Sequence, residues 1–205
     1  MTEKEPHCKP DDQSALVELM HESPGGWIAR ATEPGAALVR LTATGHQAAL
    51  KCPYEQLINK LESEICALGV EPDRAIEFAR VLDDEIGSSG DGADPPVVSW
   101  IRDTNQDRFL LDLQAELTCL AGHFVGHPIL PGVVQLHWAV MLARSRFGFS
   151  RTPREVLRLK FRHIAVPPRL IELQIEHPVP SRVAFRLVSF QQIHAQGVLV
   201  FDGVA

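Results

Sequence analysis

The segment from Gly122 to Gly132 constrains the fold of this chain most, because it joins an alternating stretch to a long apolar one. Before it, the odd positions from Phe109 to Cys119 are apolar and the even positions from Asp112 to Thr118 are polar. This predicts a strand with one buried face. After it, the run from Val133 to Ala143 is apolar nearly all round, which predicts a buried helix. The run is too short, and too interrupted by polar residues, to span a bilayer.

The junction itself carries groups that suit chemistry at an acyl carbonyl. His123 lies a few residues before a Pro131-Gly132 helix start. An imidazole takes or gives a proton near neutral pH. Backbone N–H groups at a helix N-terminus can hold a carbonyl oxygen as negative charge builds on it. The sequence therefore predicts an acyl-handling site at this helix start.

Five further segments alternate or are apolar in the manner of strands. They are 97–100, 156–161, 173–176, 183–187 and 197–201. The connections between most of them are too short for crossover helices, so the sheet is expected to be antiparallel. The C-terminal half is thus predicted to hold about six strands and one long helix.

A family resemblance rests on the segment Gly122-His123-Phe124-Val125-Gly126-His127-Pro128-Ile129-Leu130-Pro131-Gly132. It resembles the signature of hotdog-fold β-hydroxyacyl-carrier-protein dehydratases. The continuation Val-Val-Gln-Leu-His-Trp-Ala is most similar to their short branch, which is associated with aryl-polyene biosynthesis. The resemblance covers about half the chain, from near Pro96 onward. It implies an α+β hotdog fold, in which an antiparallel sheet wraps around one long buried helix.

The resemblance implies removal of water from 3-hydroxyacyl thioesters, in fatty-acid-like or aryl-polyene-like biosynthesis, with no cofactor. His123 would be the base, and the N–H of Gly132 or Val133 would hold the thioester oxygen. A residue on the helix would help the hydroxide leave. Beside these, the candidate substrate contacts are Phe124, Pro131, Gln135 and Trp138, although packing is the more ordinary role for Trp138.

Two positions depart from the family pattern. Val125 stands where the family usually has Pro, and His137 stands where the better-known enzymes carry Asp or Glu. Three interpretations of His137 stay open. It is held charged by a nearby carboxylate or polarised water, it only orients the hydroxyl, or the chain has lost dehydration and keeps acyl binding. The alternative functions are therefore a hotdog thioesterase, with Asp112 and Glu116 as poor candidate carboxylates, and a catalytically silent partner that binds acyl carrier protein.

Charge is unevenly distributed along the chain. The net charge is −6 overall, but residues 1–95 carry −10 and residues 144–205 carry +6. Arg158, Lys160 and Arg162 share one strand face by alternation, which suits an acidic acyl carrier protein or the phosphates of a coenzyme A thioester, although a solvated face is an equal alternative. Nucleic acid is not expected as a partner, because the chain is acidic and has no recognised nucleic-acid motif. Because a lone hotdog leaves its acyl channel half open, a homodimer or a dimer with a paralogue is expected.

The N-terminal half resembles no family that we recognise. Residues 1–86 are predicted to be mainly helical, with helices over 54–67 and 73–86 and two short strands near 27–29 and 38–41. Residues 87–96 are predicted to be a flexible linker, and residues 97–205 the hotdog domain. An acyl carrier domain is disfavoured because no Asp-Ser-Leu attachment triplet opens a helix. A docking or dimer-supporting appendage is the preferred interpretation.

The remaining reactive residues point to no additional chemistry. His127 is expected to be a turn residue, and a metal site is not expected, because His123 and His127 lie in a turn without a carboxylate at ligand spacing. The four cysteines are far apart, so no disulfide is expected, and Cys119 is expected on the inward face of its strand. With a charged N-terminus that lacks an apolar signal region, the expected location is the cytoplasm.

Overall fold

The protein is described from a computed structural model. It describes the following residues: 21–22, 26–33, 36–66, 76–78, 81, 94–104, 106–122, 126–190 and 192–202.

The described part of the N-terminal region combines a small sheet with two helices. Its elements are β1 (His21–Glu22), β2 (Trp27–Glu33), β3 (Ala36–Leu41), α1 (Ala43–Ala49), α2 (Tyr54–Cys66) and β4 (Ile76–Phe78). The strands follow the order β1-β2-β3-β4, and only the β3–β4 pair is parallel. The described part of this region therefore contains both strands and helices, and the expectation that residues 1–86 are mainly helical stays a prediction, because 1–20, 67–75 and 82–86 lie outside the described residues.

The two helices predicted in this region have different outcomes. The helix over 54–67 is confirmed as α2, which buries Leu57, Leu61 and Ile65 at helical spacing. The helix predicted over 73–86 is wrong at Ile76–Phe78, which form β4 beside β3, while 73–75, 79–80 and 82–86 lie outside the described residues. Phe78 is buried in the same cluster as α2, so this tertiary contact overrides the helical periodicity of the segment.

The C-terminal region is a six-stranded antiparallel sheet with one long helix. The helix is α3 (Gly132–Phe147), and a short 3-10 turn spans Thr118–Leu120. The strands follow the order β5-β6-β8-β9-β10-β7, and every neighbouring pair is antiparallel. They are β5 (Val97–Ile101), β6 (Gln106–Leu113), β7 (Glu155–Phe161), β8 (Arg169–Val179), β9 (Arg182–Ser189) and β10 (Gln192–Val200).

Helix α3 is the centre of the main core. Trp138, Ala139 and Leu142 pack against the inward side chains of the sheet, and Trp138 and Ala139 are fully buried. The helix ends at Gly148, which has a φ of 70° and donates its N–H to the Arg144 carbonyl. A left-handed residue of this kind is a common helix stop, and glycine adopts it without a side-chain clash. The predicted hotdog arrangement is confirmed.

Strand β6 corrects the prediction of a strand from Phe109 to Cys119 with one buried face. The strand ends at Leu113, and Cys119 lies half-buried in the 3-10 turn instead of on a strand. Phe109 and Leu111 face the α3 core, whereas Leu110 is fully buried in the opposite direction. Both faces of β6 are buried because the N-terminal region covers the outer one.

The N-terminal region packs directly on the outer face of the C-terminal sheet. Val98, Leu110 and Leu170 project from three adjacent strands into one apolar cluster with Val39 and Leu61. Of the predicted linker, residues 87–93 lie outside the described residues, while Pro95 and Pro96 are buried. The boundaries 1–86, 87–96 and 97–205 stay predictions.

A buried polar cluster also joins the two regions. His46 of α1 lies with its Nε2 2.7 Å from Glu172 Oε2 and its Nδ1 3.0 Å from Ser99 Oγ. Gln174 Nε2 donates to the other oxygen of Glu172 at 2.7 Å. His46 and Glu172 are almost completely buried. Burial alone raises the pKa of Glu172, but the hydrogen bonds from His46 and Gln174 outweigh it, so this pKa is lowered from 4.5.

We expect His46→Ala to lower the free energy of unfolding by about 3 kcal/mol, because removing one partner of a buried pair leaves the other charge uncompensated. Urea unfolding at pH 7 measures this. The matched control is Lys60→Ala, which breaks the exposed Lys60–Glu64 pair and should cost less than about 0.5 kcal/mol. Equal effects of the two variants would contradict the structural role of His46.

The same pair sets a pH dependence. Because the pKa of Glu172 is lower in the folded chain than in the unfolded chain, its contribution is complete above pH 4.5. It is lost as the pH falls through the folded pKa. Glu172→Gln should therefore flatten the acid limb of a plot of unfolding free energy against pH. An unchanged limb would show that Glu172 does not govern it.

Candidate active site

The structure describes the motif loop before and after its histidine, up to Gly122 and from Gly126 onward. His123, Phe124 and Val125 lie outside the described residues. Gly122 and Gly126 flank them with φ of 78° and 77°, a conformation that L side chains rarely adopt. Each end of the His123 segment is therefore a left-handed turn that requires glycine.

The loop then leads directly into α3 and is held at two points. The Leu130 N–H donates to the Ala165 carbonyl at 2.9 Å, and Gln135 Nε2 donates to the Leu130 carbonyl at 3.1 Å. The Pro131 carbonyl accepts the N–H groups of Val134 and Gln135, both at 3.1 Å. These bonds fix the entry of the chain into the helix.

The first two amides of α3 donate to no other described residue. Gly132 and Val133 precede the helix's own hydrogen bonds, so helix geometry gives their N–H groups no partner within it. Pro131 supplies no side-chain cap. An N–H pair at the start of a helix is suited to hold a developing oxyanion. The structure thus places the predicted Gly132 and Val133 donors at an open helix start.

Phe161 packs against this helix start and was missed by the sequence reasoning. A Cβ placed on Gly132 would lie 2.8 Å from a ring atom of Phe161, so only glycine allows the ring to approach so closely. Phe161 is 50% exposed although it is apolar. The alternation of β7 predicted its strand but gave no signal for this contact.

His137 lies one helical turn after Val133, on the same side of α3. The side chain is half-buried, and its Nε2 is buried without a hydrogen-bond partner. Among the described residues, no carboxylate therefore holds Nε2. A hydrogen bond to Nε2 would therefore have to come from a group outside the described residues.

The other candidate substrate contacts lie deeper. Trp138 is fully buried in the α3 core, a position that favours its packing role. Gln135 is 3% exposed, and its Oε1 is buried without a partner while its Nε2 holds the loop. Pro131 is buried at the helix start. Their roles as substrate contacts stay predictions.

The basic residues of β7 are exposed, but they do not alternate as expected. Leu157 pairs with Val198 and Lys160 pairs with Gln196, so two residues on β7 oppose one on β10. This is a β-bulge, and Arg158 within it has a φ of 53°. The expectation that Arg158, Lys160 and Arg162 share one face is therefore wrong at Arg158, because the bulge interrupts the alternation. Lys160 and Arg162 remain exposed neighbours on one side.

The carboxylates considered for hydrolysis lie in unsuitable places. Asp112 projects from β6 on the outer face, away from α3, and accepts a hydrogen bond from Gln114 at 2.6 Å. Glu116 is exposed after the strand ends. The sequence-based judgement that both are poor candidates agrees with this placement.

In the described ranges, metal-binding groups and membrane-spanning helices are absent, and free thiols are present. No group of three or more His, Cys, Asp or Glu side chains there could hold a metal ion. No helix there is long and apolar enough to cross a membrane. Three cysteines are free, namely Cys52, Cys66 and Cys119.

The C-terminal region is similar to one known protein family. Residues 100–198, just under half of the chain, match the family model described as ApeI-like, ApeI dehydratase. No curated protein sequence matches the chain.

Solved structures are similar to the same region. The dehydratase heterocomplex ApeI:P from Xenorhabdus doucetiae has 23% identity and a TM-score of 0.48, over 52% of this chain and 96% of that one. An uncharacterized protein from Erwinia carotovora subsp. atroseptica has 21% identity and a TM-score of 0.37, over 49% and 86%. The dehydratase domain of a mycocerosic acid synthase-like polyketide synthase has 18% identity and a TM-score of 0.45, over 58% and 43%.

The C-terminal region therefore has the hotdog arrangement of six antiparallel strands around one buried helix, and residues 100–198 of it are similar to the ApeI-like dehydratase family.

Proposed function

We propose that the domain removes water from 3-hydroxyacyl thioesters carried on acyl carrier protein and gives trans-2-enoyl thioesters. The observation that carries this proposal is the open start of α3. There, the N–H groups of Gly132 and Val133 stand beside Phe161, one helical turn from His137, within a segment that matches dehydratases. The metabolic setting we favour is fatty-acid-like or aryl-polyene-like biosynthesis.

The proposed reaction uses three groups of this chain. The His123 imidazole removes the proton on the carbon next to the thioester carbonyl. The N–H of Gly132 or Val133 donates a hydrogen bond to the thioester carbonyl oxygen. This oxygen gains negative charge as the carbon–hydrogen bond breaks. As the carbon–carbon double bond forms, the bond to the β-hydroxyl breaks, and this hydroxyl takes one proton from the charged form of His137 and leaves as water.

His137 is proposed to attend the leaving hydroxyl. Its Nε2 has no partner within the described chain, and an imidazole nitrogen can either accept from or donate to a hydroxyl. The Asp or Glu that the better-known enzymes carry at this position would donate a proton to the hydroxyl directly. A histidine orients the hydroxyl and passes a proton when it is charged.

A second chain is proposed to complete the site. Val133, Phe161 and Ile164 are 67%, 50% and 66% exposed around the helix start, and β7 stands at the end of the described strand order. Exposed apolar side chains beside an edge strand favour association. The partner is a second copy or a paralogue.

The carrier protein is proposed to approach along Lys160 and Arg162, because both are exposed and cationic near Phe161. Attraction between these cations and an acidic carrier would raise the rate of encounter. The free thiols of the described cysteines suit a reducing cytoplasm.

We expect His123→Ala to lower the dehydration rate about 100- to 10,000-fold, the usual contribution of a positioned general base. The assay follows the mass of a 3-hydroxyacyl-carrier thioester. Loss of water supports dehydration, release of free acid indicates a thioesterase, and no change indicates a silent acyl-binding partner. His127→Ala, an exposed histidine four residues away, is the control and should keep its rate. Equal rates in both variants would remove His123 from the mechanism.

We expect His137→Glu to keep or raise the dehydration rate, because a carboxylic acid can donate the proton that the leaving hydroxyl needs. His137→Leu fills similar space without a polar nitrogen and should lower the rate about 10- to 100-fold. The measurement is kcat at saturating substrate, with circular dichroism to verify folding. A wild-type rate in the folded leucine variant would exclude His137 from the reaction.

We expect the double variant Lys160→Glu, Arg162→Glu to raise KM for the carrier-bound substrate about tenfold, because like charges repel the carrier. The KM for the same acyl group on pantetheine should not change. Arg182→Glu is the control, since Arg182 is also exposed but lies at the other end of the sheet, opposite Val179. A parallel rise in KM for both substrates would contradict a carrier-binding role.

A further inference from the structure

A cleft of about 290 Å³ lies where the N-terminal region meets one end of the C-terminal sheet. None of the residues that line it belongs to the proposed dehydration site. Its walls come from the turn between α1 and α2, from the start of β8 and from the turn between β9 and β10. The polar or charged residues among them are Cys52, Tyr54, Glu55, Arg169, Ser189 and Gln192.

Arg169 is held rigidly in this cleft by a chain of hydrogen bonds. Its Nη1 donates to Ser189 Oγ and to Gln192 Oε1, each at 3.1 Å. Ser189 Oγ is also 2.7 Å from His194 Nε2. His194 Nδ1 in turn is 3.2 Å from the His163 carbonyl oxygen.

The direction of these bonds follows from the carbonyl at one end. A carbonyl oxygen only accepts, so His194 Nδ1 carries the hydrogen and Nε2 accepts from the Ser189 hydroxyl. Ser189 Oγ is then an acceptor toward Arg169. Burial lowers the pKa of His194, in agreement with the neutral ring that this arrangement requires.

The remaining donors of the Arg169 guanidinium make no hydrogen bond to a described residue. Both of its bonds use Nη1, which leaves Nε and Nη2, and none of the ion pairs between described residues includes Arg169. A guanidinium held in one orientation offers two parallel donors, a geometry that matches a carboxylate or phosphate.

A second donor lines the same cleft. The Tyr54 hydroxyl oxygen accepts from Gln114 Nε2 at 2.7 Å, so its own proton is left to donate. Burial, with a contribution from the charge of Asp112, raises the pKa of Tyr54 to about 12, and the phenol stays protonated. Glu55 also lines the cleft and is exposed. Its negative charge would disfavour a ligand with several anionic groups.

We propose that this cleft binds a small molecule through a single oxyanion, a carboxylate or a phosphate, which Arg169 receives and Tyr54 supports. The volume admits a short ligand only. The oxyanion would come either from a free small molecule or from the phosphate of a phosphopantetheine arm.

The test is a titration of the full ¹⁵N-labelled chain with inorganic phosphate and with acetate, followed through the Arg169 Nε–H signal, with chloride at equal ionic strength as the blank. A saturable shift with at least one of the two anions, absent with chloride, is expected. Phosphopantetheine and pantetheine are titrated in the same way as two further ligands. Tighter binding of phosphopantetheine than of phosphate assigns the site to the arm of a carrier, and equal binding assigns it to a free ion; either result supports an oxyanion site.

Substitutions of the cleft residues test where the anion binds. Arg169→Gln should weaken it at least about tenfold, since the charge and the planar donors are lost. Tyr54→Phe should weaken it less. Arg186→Gln, an exposed arginine on β9, is the control and should bind as the wild type does. If Arg169→Gln fails to fold, Arg169→Lys is used instead. Lysine keeps the positive charge but lacks the two parallel N–H donors of arginine, so this variant should also bind the anion more weakly. Absence of a saturable shift, or equal affinity in the folded Arg169 variants, would overturn the proposal.

Discussion

The rest of the C-terminal fold depends on the burial of helix α3. A helix that is apolar on most sides cannot face water, so the sheet has to surround it, and Trp138, Ala139 and Leu142 take the centre of the core. Burial of the helix also fixes where the helix starts. The Gly132 and Val133 amides are therefore held by the packing of residues several turns away, which is how a hydrophobic core positions a polar site.

The outer face of the sheet imposes a second constraint. Val98, Leu110 and Leu170 make that face apolar, so it needs a cover, and the N-terminal region provides one. His46 and Glu172 are then taken out of water together. Because desolvation of such a pair is expensive, the apolar contacts around it supply the stability, and the pair fixes how the two layers align. The N-terminal region is thus a structural layer of this chain in addition to any docking role.

The sequence predicted the parts of the fold that depend on local periodicity. The presence of six strands, of the long helix and of helix α2 follows from patterns of two and of 3.6 residues. The burial of Leu110 on the second face could not be predicted, because it depends on a layer that is distant in the chain. The bulge at Arg158 depends on how β7 pairs with β10, and the contact of Phe161 with Gly132 depends on the sheet order. The motif predicted the helix start. The lack of a partner at His137 Nε2 and the hydrogen bonds that hold Arg169 depend on contacts between residues that are distant in the chain, so the sequence did not predict them.

His137 and the exposed residues around it are best understood together. A buried nitrogen without a partner costs about 1–3 kcal/mol, and an apolar side chain at this position of α3 would avoid that cost. The same side of the helix leaves Val133 exposed, which is a second unfavourable feature at one place. Both are relieved if the site is filled, by a hydroxyl-bearing substrate at Nε2 and by an apolar surface of another chain at Val133. A substrate and a partner chain at this place would therefore remove two unfavourable features of the single chain.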